Sequence, residues 1–384
     1  MTITISNSTA KTNLMAVHSQ WAKRRPDECF LSLPELHSKV SGRKASSAEH
    51  TVALDGRFMQ VQPVDDSEHS ELQLVQVNPN SGEPVRAFGE LTHYSFGQLA
   101  SKAKAPASYL RTLPPMIAAV NLQWSLEHNE GSSQASNDVK LLTRTNGHTV
   151  VAAATGPDYG RIYDAEITQL LVDSVDPTVW KVPAASYSKR DPKRATTLYA
   201  SDHDVFVFLV NESAGIDVDG SSIKRGVIVW NSEVGAATFG ICTFLYDYVC
   251  DNRIIWGASD VTELRIRHTA GGPHRFAAQA IPQLSAFIAD QSTSLIESTI
   301  RRAKAKEVAQ DKAGVTAWLK NRGFTIPQAK TAYEKAEQDP RGYNPRSVWG
   351  LVQGMTDAAH DITATDTRTD IERRAGKLLD IVKE

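Results

Sequence analysis

The side chains best placed for chemistry fall in one stretch, Gly226 to His274, where two near-continuous apolar runs end in compact polar groups. Asn231-Ser232-Glu233 follows the first run, Cys250-Asp251-Asn252-Arg253 follows the second, and Arg265-Ile266-Arg267-His268 ends an alternating segment. Glu233, at the end of an apolar strand beside an Asn and a Ser, reads first as part of a helix start, with Ser232 or Asn231 capping the following AATFGIC segment and Glu233 near the positive end of its dipole, because such caps are common. The alternative is a buried, hydrogen-bonded carboxylate. The group Cys250 to Arg253 reads equally as a tight turn, because Asp and Asn favour such positions. Arg265 and Arg267 are different. On one face of a strand they stand roughly 6–7 Å apart. Two guanidinium forks at that pitch match successive phosphates or carboxylates. Their other reading is ordinary pairing with Glu233, Asp251 or Glu263.

A second titratable group, Ser201-Asp202-His203-Asp204 with Glu212 beyond it, has the residue types for a metal or an acid/base pair. Neighbouring residues of an extended chain point to opposite faces, so a solvated turn is the expected outcome. The basic material is local: Lys189, Arg190, Lys193 and Arg194 in one loop, Arg301 to Lys306 wrapped around a helix, and Lys320 with Arg322. Lys23-Arg24-Arg25 reads as a solvated helix end. Tyr187, Phe324 and Tyr343 lie near these cations, a mixture that suits base stacking with phosphate contacts. Phosphate loops, dinucleotide fingerprints, GxSxG, HExxH and calcium loops are all missing, so no cofactor and no metal is expected.

These residues sit in a chain of 384 residues with net charge −2, 41% hydrophobic and 22% charged, values that suit a globular protein. A nearly neutral chain contacts nucleic acid only through local patches. Cys29, Cys242 and Cys250 are scattered and lack zinc spacing, so they read as reduced thiols, with Cys242 and Cys250 in the core of a cytoplasmic protein. No apolar run nears the ~20 residues of a membrane span, and MTITISNSTAKTN reads as a short polar tail without a signal peptide's apolar region.

Hairpins dominate the elements that must hold these groups. TVAL-DG-RFMQVQPV and KLLTRT-NG-HTVVAAAT carry the strongest turn dipeptides, and Leu72–Val77 with Pro84–Phe88 flanks NPNSG. Phe96, Leu99, Ala100 and Ala103 mark a helix behind a Ser95 cap, and Met116–Glu127 a second helix after Pro114-Pro115. Ile162–Val175 reads as a helix and Val179–Tyr187 as a strand. Val205–Val210 and Val227–Trp230 read as short strands around a turn-rich link, and Val261–Arg267 as an alternating strand. A long helix over roughly 275–312 carries Ile281, Leu284, Ile288, Leu295 and Ile300 on one stripe and a kink at Pro282. The fold class is α+β: an antiparallel, hairpin-rich central sheet with flanking helices, a long helix after it and a helical C-terminal extension. The expected divisions are an arm at 1–46, the core at 47–313 and the extension at 314–384.

VWNSEVGAATFGICTFLYDYVCDNRIIW followed by LRIRHT resembles the phage/plasmid-like family known as domain of unknown function 932. YSFGQLASKAKAPASYLRTLP, LLTRTNGHTVVAAATGPDYGRIYDAEI and SVWGLVQGMTDAAHDI extend the likeness over about residues 90–360. The segment Gly160 to Tyr163 departs from it, where the family is more polar. The resemblance implies carriage on mobile elements and a cytoplasmic setting. It establishes no activity. The expected function is DNA binding, favouring single strands, in phage or plasmid replication or recombination, by a non-enzymatic protein free of the membrane, with a homo-oligomer left open. The order of hairpins and a long helix also matches single-strand annealing recombinases that form rings, which is analogy of fold. Two alternatives stand beside it: an enzyme acting on nucleic acid or nucleotides through Glu233, Asp251 and His268, and an interaction or anti-defence factor docking through its C-terminal helices.

Overall fold

The computed structural model describes residues 25–64, 72–128, 138–182, 196–218, 221–247, 252–254, 263–289, 294–360, 371 and 374–382. Two sheets carry the α+β architecture. The larger has eight strands: β1 (Cys29–Phe30), β9 (Leu198–Ala200), β10 (Val205–Val218), β11 (Ser221–Asn231), β12 (Phe239–Asp247) and β13 (Asn252–Ile254) in that order, with β8 (Trp180–Lys181) on β10 and β14 (Glu263–Ile266) on β12. The smaller has six, in the order β2 (Ser47–Ala53), β6 (Asp138–Asn146), β7 (His148–Thr155), β5 (Pro84–Leu91), β4 (Leu72–Val77), β3 (Met59–Pro63). All pairings are antiparallel except the short β5–β7 contact.

The chain enters the larger sheet through β1 and α1 (Leu33–Ala45), leaves it to build the whole smaller sheet, and returns at α4 (Asp164–Ser174). Residues 25–45, expected within an N-terminal arm, are thus part of the body, with Leu36 and Val40 fully buried. One face of the larger sheet packs on α1, α4 and the helix that follows β14. Cys29, Tyr199, Phe206, Phe208 and Trp230 are buried together in a separate cluster on this sheet. The smaller sheet packs against α2 (His93–Lys102) and α3 (Pro115–His128). A third core joins α6 (Ser294–Ala305), α7 (Lys312–Lys320), α8 (Ile326–Gln338) and α9 (Val348–His360), and it takes in Val218 and Ile223 from the tip of β10–β11.

Two expected hairpins form as read: β6–β7 about Asn146-Gly147, and β4–β5 about NPNSG. The third does not. β2 and β3 lie at opposite edges of the smaller sheet, β2 on β6 and β3 on β4. Gly56 lacks the positive φ of a tight hairpin turn, and a side chain there would collide with Glu127 of α3. Asp55-Gly56 therefore marks close approach to a helix rather than reversal of a strand. The turn-rich link SAGIDVDGSS, residues 213–222, is also corrected: β10 runs on to Val218 and β11 starts at Ser221, with a register shift between Asn211 and Ile216. The cap of α2 is Thr92, whose hydroxyl accepts from Ser95 N, and not Ser95 itself.

The long helix expected near 275–312 is two helices. The first runs from Gly272 through a π-helical turn, Phe276–Ala280, into α5 (Ile281–Ala289); the second is α6. Pro282 has no N–H for the ladder, and the wider turn just before it takes up that break. Of the expected stripe, Leu284 and Ile300 are buried, while Ile281 is 37% exposed.

Trp230 also shows how tightly β11 and β12 are matched. Its indole lies over Gly240, and any side chain at Gly240 would overlap the ring. Gly240→Ala should therefore cost ~1–3 kcal/mol of stability, as overpacking does. Urea unfolding of Gly240→Ala beside Gly240→Ala/Trp230→Leu tests this: the second change should recover part of the loss, and equal losses would contradict the contact.

Candidate functional site at the junction of the two sheets

The polar end of β11 does not start a helix. Residues 232–238 form a turn in which Ser232 Oγ accepts from Val234 N and Ala236 N, and Gly235 takes φ +90°, open to glycine at little cost. The turn puts Val234 into a small apolar pocket of Leu142, Ala152 and Ala153 on the smaller sheet. Gln98 of α2 clamps it, donating to Val234 O at 2.7 Å while accepting from Ala154 N. Asn231-Ser232-Glu233 is thus the plug by which the larger sheet docks on the smaller.

Glu233 is a buried, hydrogen-bonded carboxylate, and the expected helix start is corrected. Its side chain is 1% exposed, Oε2 takes Arg144 Nη2 of β6 at 2.6 Å with Arg43 Nε at 3.7 Å, and Oε1 accepts the Asp164 N–H at 2.9 Å. Around it Arg43 of α1 pairs with Asp164, and Arg161 pairs with Glu49 of β2 while donating to Glu233 O. Asn231 Nδ2 donates to Asp164 Oδ1 at 2.7 Å and to Ile162 O at 2.9 Å. Three arginines, Arg43, Arg144 and Arg161, face three carboxylates, Glu49, Asp164 and Glu233. Burial, then the like charge of Glu233, pushes Asp164 up to about 7 against the pull of Arg43 and the Asn231 amide. Burial and the neighbouring Arg43 also hold Arg144 below its ordinary value.

The group Ser201 to Asp204 belongs to the same junction. An extended chain keeps its side chains apart, but here the chain bends back, Ser201 N donating to Asp204 O at 2.9 Å. Ser201 Oγ contacts both His203 Nδ1 and Asp204 Oδ1, so the side chains do converge, and Ser201 and Asp204 are buried rather than solvated. Its carbonyls accept from Arg43 (Ser201 O), Arg144 (Asp202 O) and Ser232 Oγ (His203 O). It fastens the junction. Among the described residues no group of three or more His, Cys, Asp or Glu could hold a metal ion.

His268 is buried, stacks on Tyr159 with centroids 5.0 Å apart, and donates from Nδ1 to Gly160 O at 3.2 Å. Burial lowers it to about 4, so it is neutral at pH 7. The Tyr159 hydroxyl donates to Ser232 O, and burial pushes its pKa well above the ordinary phenol value, so it stays protonated. No hydrogen bond joins His268 to Glu233, and Asp251 lies outside the described residues, as do Lys189, Arg190, Lys193 and Arg194. Asn252 opens β13 opposite Asp247.

Arg265 and Arg267 do not form a matched pair of forks. The strand ends at Ile266, so its alternation stops before Arg267. Arg265 lies over Trp230, 5.6 Å from the ring. Arg267 is exposed, lining a shallow hollow of about 280 Å³ with Tyr159 and His268. The expected pairing with Glu233 is taken by Arg144. Phe324 and Tyr343 are core residues of the helical region and cannot stack bases.

Two of the same arginines line a cleft of about 750 Å³. Arg43 and Arg144 are its largely buried cations, Arg25, Lys39 and His148 line it further, and Asp27, Glu28 and Asp202 supply its acids. Sequence reasoning missed Arg43, Glu49, Arg144, Tyr159, Arg161 and Asp164. The available signals were an arginine next to the tight turn of an otherwise buried hairpin, TRTNG, and the polar run DYGRIYD leading into a helix.

Removing one partner of the central pair leaves the other buried and uncompensated. Arg144→Met and Glu233→Gln should each cost ~3–5 kcal/mol, and the double variant much less than their sum. A double-mutant cycle by urea unfolding tests this; additive losses would dissolve the pair. His268 gives a second test. Unfolded, it takes its proton near 6.5; folded, near 4. Between those values the unfolded chain holds more protons, so this residue's stabilisation is full above 6.5 and is lost as pH falls, by ~3 kcal/mol. Asp164 works the other way, favouring the folded state less as pH rises from about 4 to about 7. The stability difference between wild type and His268→Gln should therefore widen from pH 4 to 6.5. Parallel curves would contradict the buried neutral imidazole.

No described helix is long and apolar enough to cross a membrane. No curated protein and no solved structure matches the chain. The model of one family, described as domain of unknown function (DUF932), matches residues 188–379, taking in Glu233, Arg267 and His268 but beginning beyond Arg144, Arg161 and Asp164. With half of its length so matched, the chain belongs to that family.

Proposed function

We propose that the chain is a nucleic-acid-binding protein that takes a single strand of DNA into the cleft between the two sheets. The observation that carries this reading is the composition of the cleft: Arg25, Lys39, Arg43, Arg144 and His148 against Asp27, Glu28 and Asp202. Arg43 and Arg144 are fixed by Glu233 and Asp164, so their positions cost no ordering when a phosphate arrives. Lys39 and Arg25 are exposed, and the Arg25 side chain pairs with the exposed Asp27, a pair that a phosphate displaces at small cost. A recess suits a flexible strand; a duplex is a stiff rod read by elements that project into its grooves.

The alternative of acid/base catalysis by Glu233 has less support, because both carboxylate oxygens are already committed within the junction. By its resemblance to proteins carried on phages and plasmids, this one would serve replication or recombination of such elements in the cytoplasm.

Fluorescence anisotropy with a labelled single-stranded oligonucleotide tests the proposal. Affinity should fall linearly with salt on logarithmic axes, with a slope of about −0.7 per phosphate contact. Arg25→Glu/Lys39→Glu leaves the buried network intact, and it should weaken binding by about tenfold or more and flatten the slope. Absence of binding at low salt, or binding indifferent to these two changes, would refute it.

A further inference from the structure

The outward face of α3 is apolar from Met116 to Trp124, with Glu127 exposed in the last turn beyond it. Met116, Ile117, Val120 and Trp124 are 58%, 47%, 58% and 61% exposed. At 100° per residue these four positions fall within a single arc of the helix, opposite Ala118, Ala119, Leu122 and Leu126, which are buried against the smaller sheet. Tyr109, 57% exposed, stands on the short helix Ala107–Leu110 that leads into α3. From Pro115 to Leu126 there is no Asp, Glu, Lys or Arg. Trp124 is held against the helix by stacking on His128, with centroids 4.4 Å apart.

We propose that this face is a self-association surface on which α3 packs antiparallel against α3 of a second copy. Three features favour a second copy over other occupants. First, from Met116 to Trp124 the face carries no charge, its one acid, Glu127, lying in the last turn of the helix beyond Trp124, so two copies meet along this stretch without repulsion and a charged partner finds little to pair with there. Second, the stripe is complementary to itself about a two-fold axis at Val120. Met116 and Trp124 lie four residues to either side, about 6 Å along the axis, so antiparallel packing sets each Met116 against the partner's Trp124, a favourable sulfur–aromatic contact. Such isologous contact is the commonest form of closed assembly. Third, a half-exposed aromatic side chain offers on the order of 100 Å², so the five side chains make a patch of several hundred Å². That reaches the largest patches of monomers but falls below the ~800 Å² per partner of a standard interface. The dimer is therefore concentration-dependent rather than permanent. A membrane surface is the less suitable partner, because interfacial helices present Lys and Arg beside their apolar face.

Sedimentation velocity of the full chain over a hundredfold range of concentration tests this. The mass should rise from one chain toward two by mass action. Val120→Glu and Trp124→Glu, both at exposed positions, should hold it at one chain at every concentration with unfolding transitions unchanged. Under mild oxidation Val120→Cys should form a disulfide-linked dimer, while wild type and Val85→Cys, exposed elsewhere, should not. A single-chain mass throughout, a dimer untouched by the two glutamates, failure of Val120→Cys to cross-link, or stable pelleting of the chain with anionic vesicles through Trp124 would each overturn the proposal.

Discussion

The bond between Glu233 and Arg144 is the constraint on which the rest depends. The smaller sheet is built from residues lying between α1 and α4, so the chain crosses the junction of the sheets twice. Both crossings are tied to the same residue: α1 through Arg43 beside the Glu233 carboxylate, and the entry to α4 through Arg161, which donates to the Glu233 carbonyl, and the Asp164 N–H, which donates to the carboxylate. Few apolar side chains share this work. Val234 alone of the larger sheet enters the apolar group formed by Leu142, Ala152 and Ala153.

Charge is an unusual material for such a joint. Desolvating six ionisable groups costs several kcal/mol per ion, and their mutual attraction repays it only when geometry is nearly complete. Here much of the geometry is satisfied: both oxygens of Glu233 are bonded, Asp164 is held by Arg43 and Asn231, and carbonyls of residues 201–203 accept from Arg43, Arg144 and Ser232, while Arg43 Nε, Arg144 Nε and Arg161 Nη2 are buried without a hydrogen-bond partner among the described residues. A well-packed apolar joint of the same size would hold as firmly. What an ionic joint adds is specificity of register, because a shift of one residue along β6 would leave Glu233 facing Thr143 or Thr145 and strand a charge.

Much of the fold was legible in the sequence where local rules govern it. The chain reverses at Asn146-Gly147 as read, with Gly147 alone taking positive φ, α3 began where Pro114-Pro115 placed it, and the α+β class followed from clustered hairpins. The failures share one cause. Asp55-Gly56 looks like a hairpin turn, but contact with α3 decides its role. Ser201 to Asp204 looks solvated only if the chain is taken as extended. Glu233 was singled out, yet its partner Arg144 lies 89 residues away on another sheet, and no periodicity encodes such a pairing. The family match shows the same gap, since it covers one side of the joint and begins beyond the other.

The position of the joint also bears on what the cleft can do. Arg43 and Arg144 are at once cations of the joint and of the recess, so any anion entering the cleft competes with Glu233 and Asp164 for the same guanidinium groups. Because Asp164 is raised toward neutrality by its burial, it is the weaker competitor, and Arg43 is the arginine more readily shared with a ligand. A bound phosphate would thus draw on charge already positioned, and would act on the contact that sets the two sheets against each other. Binding and inter-sheet geometry are coupled by construction, because they use the same two side chains.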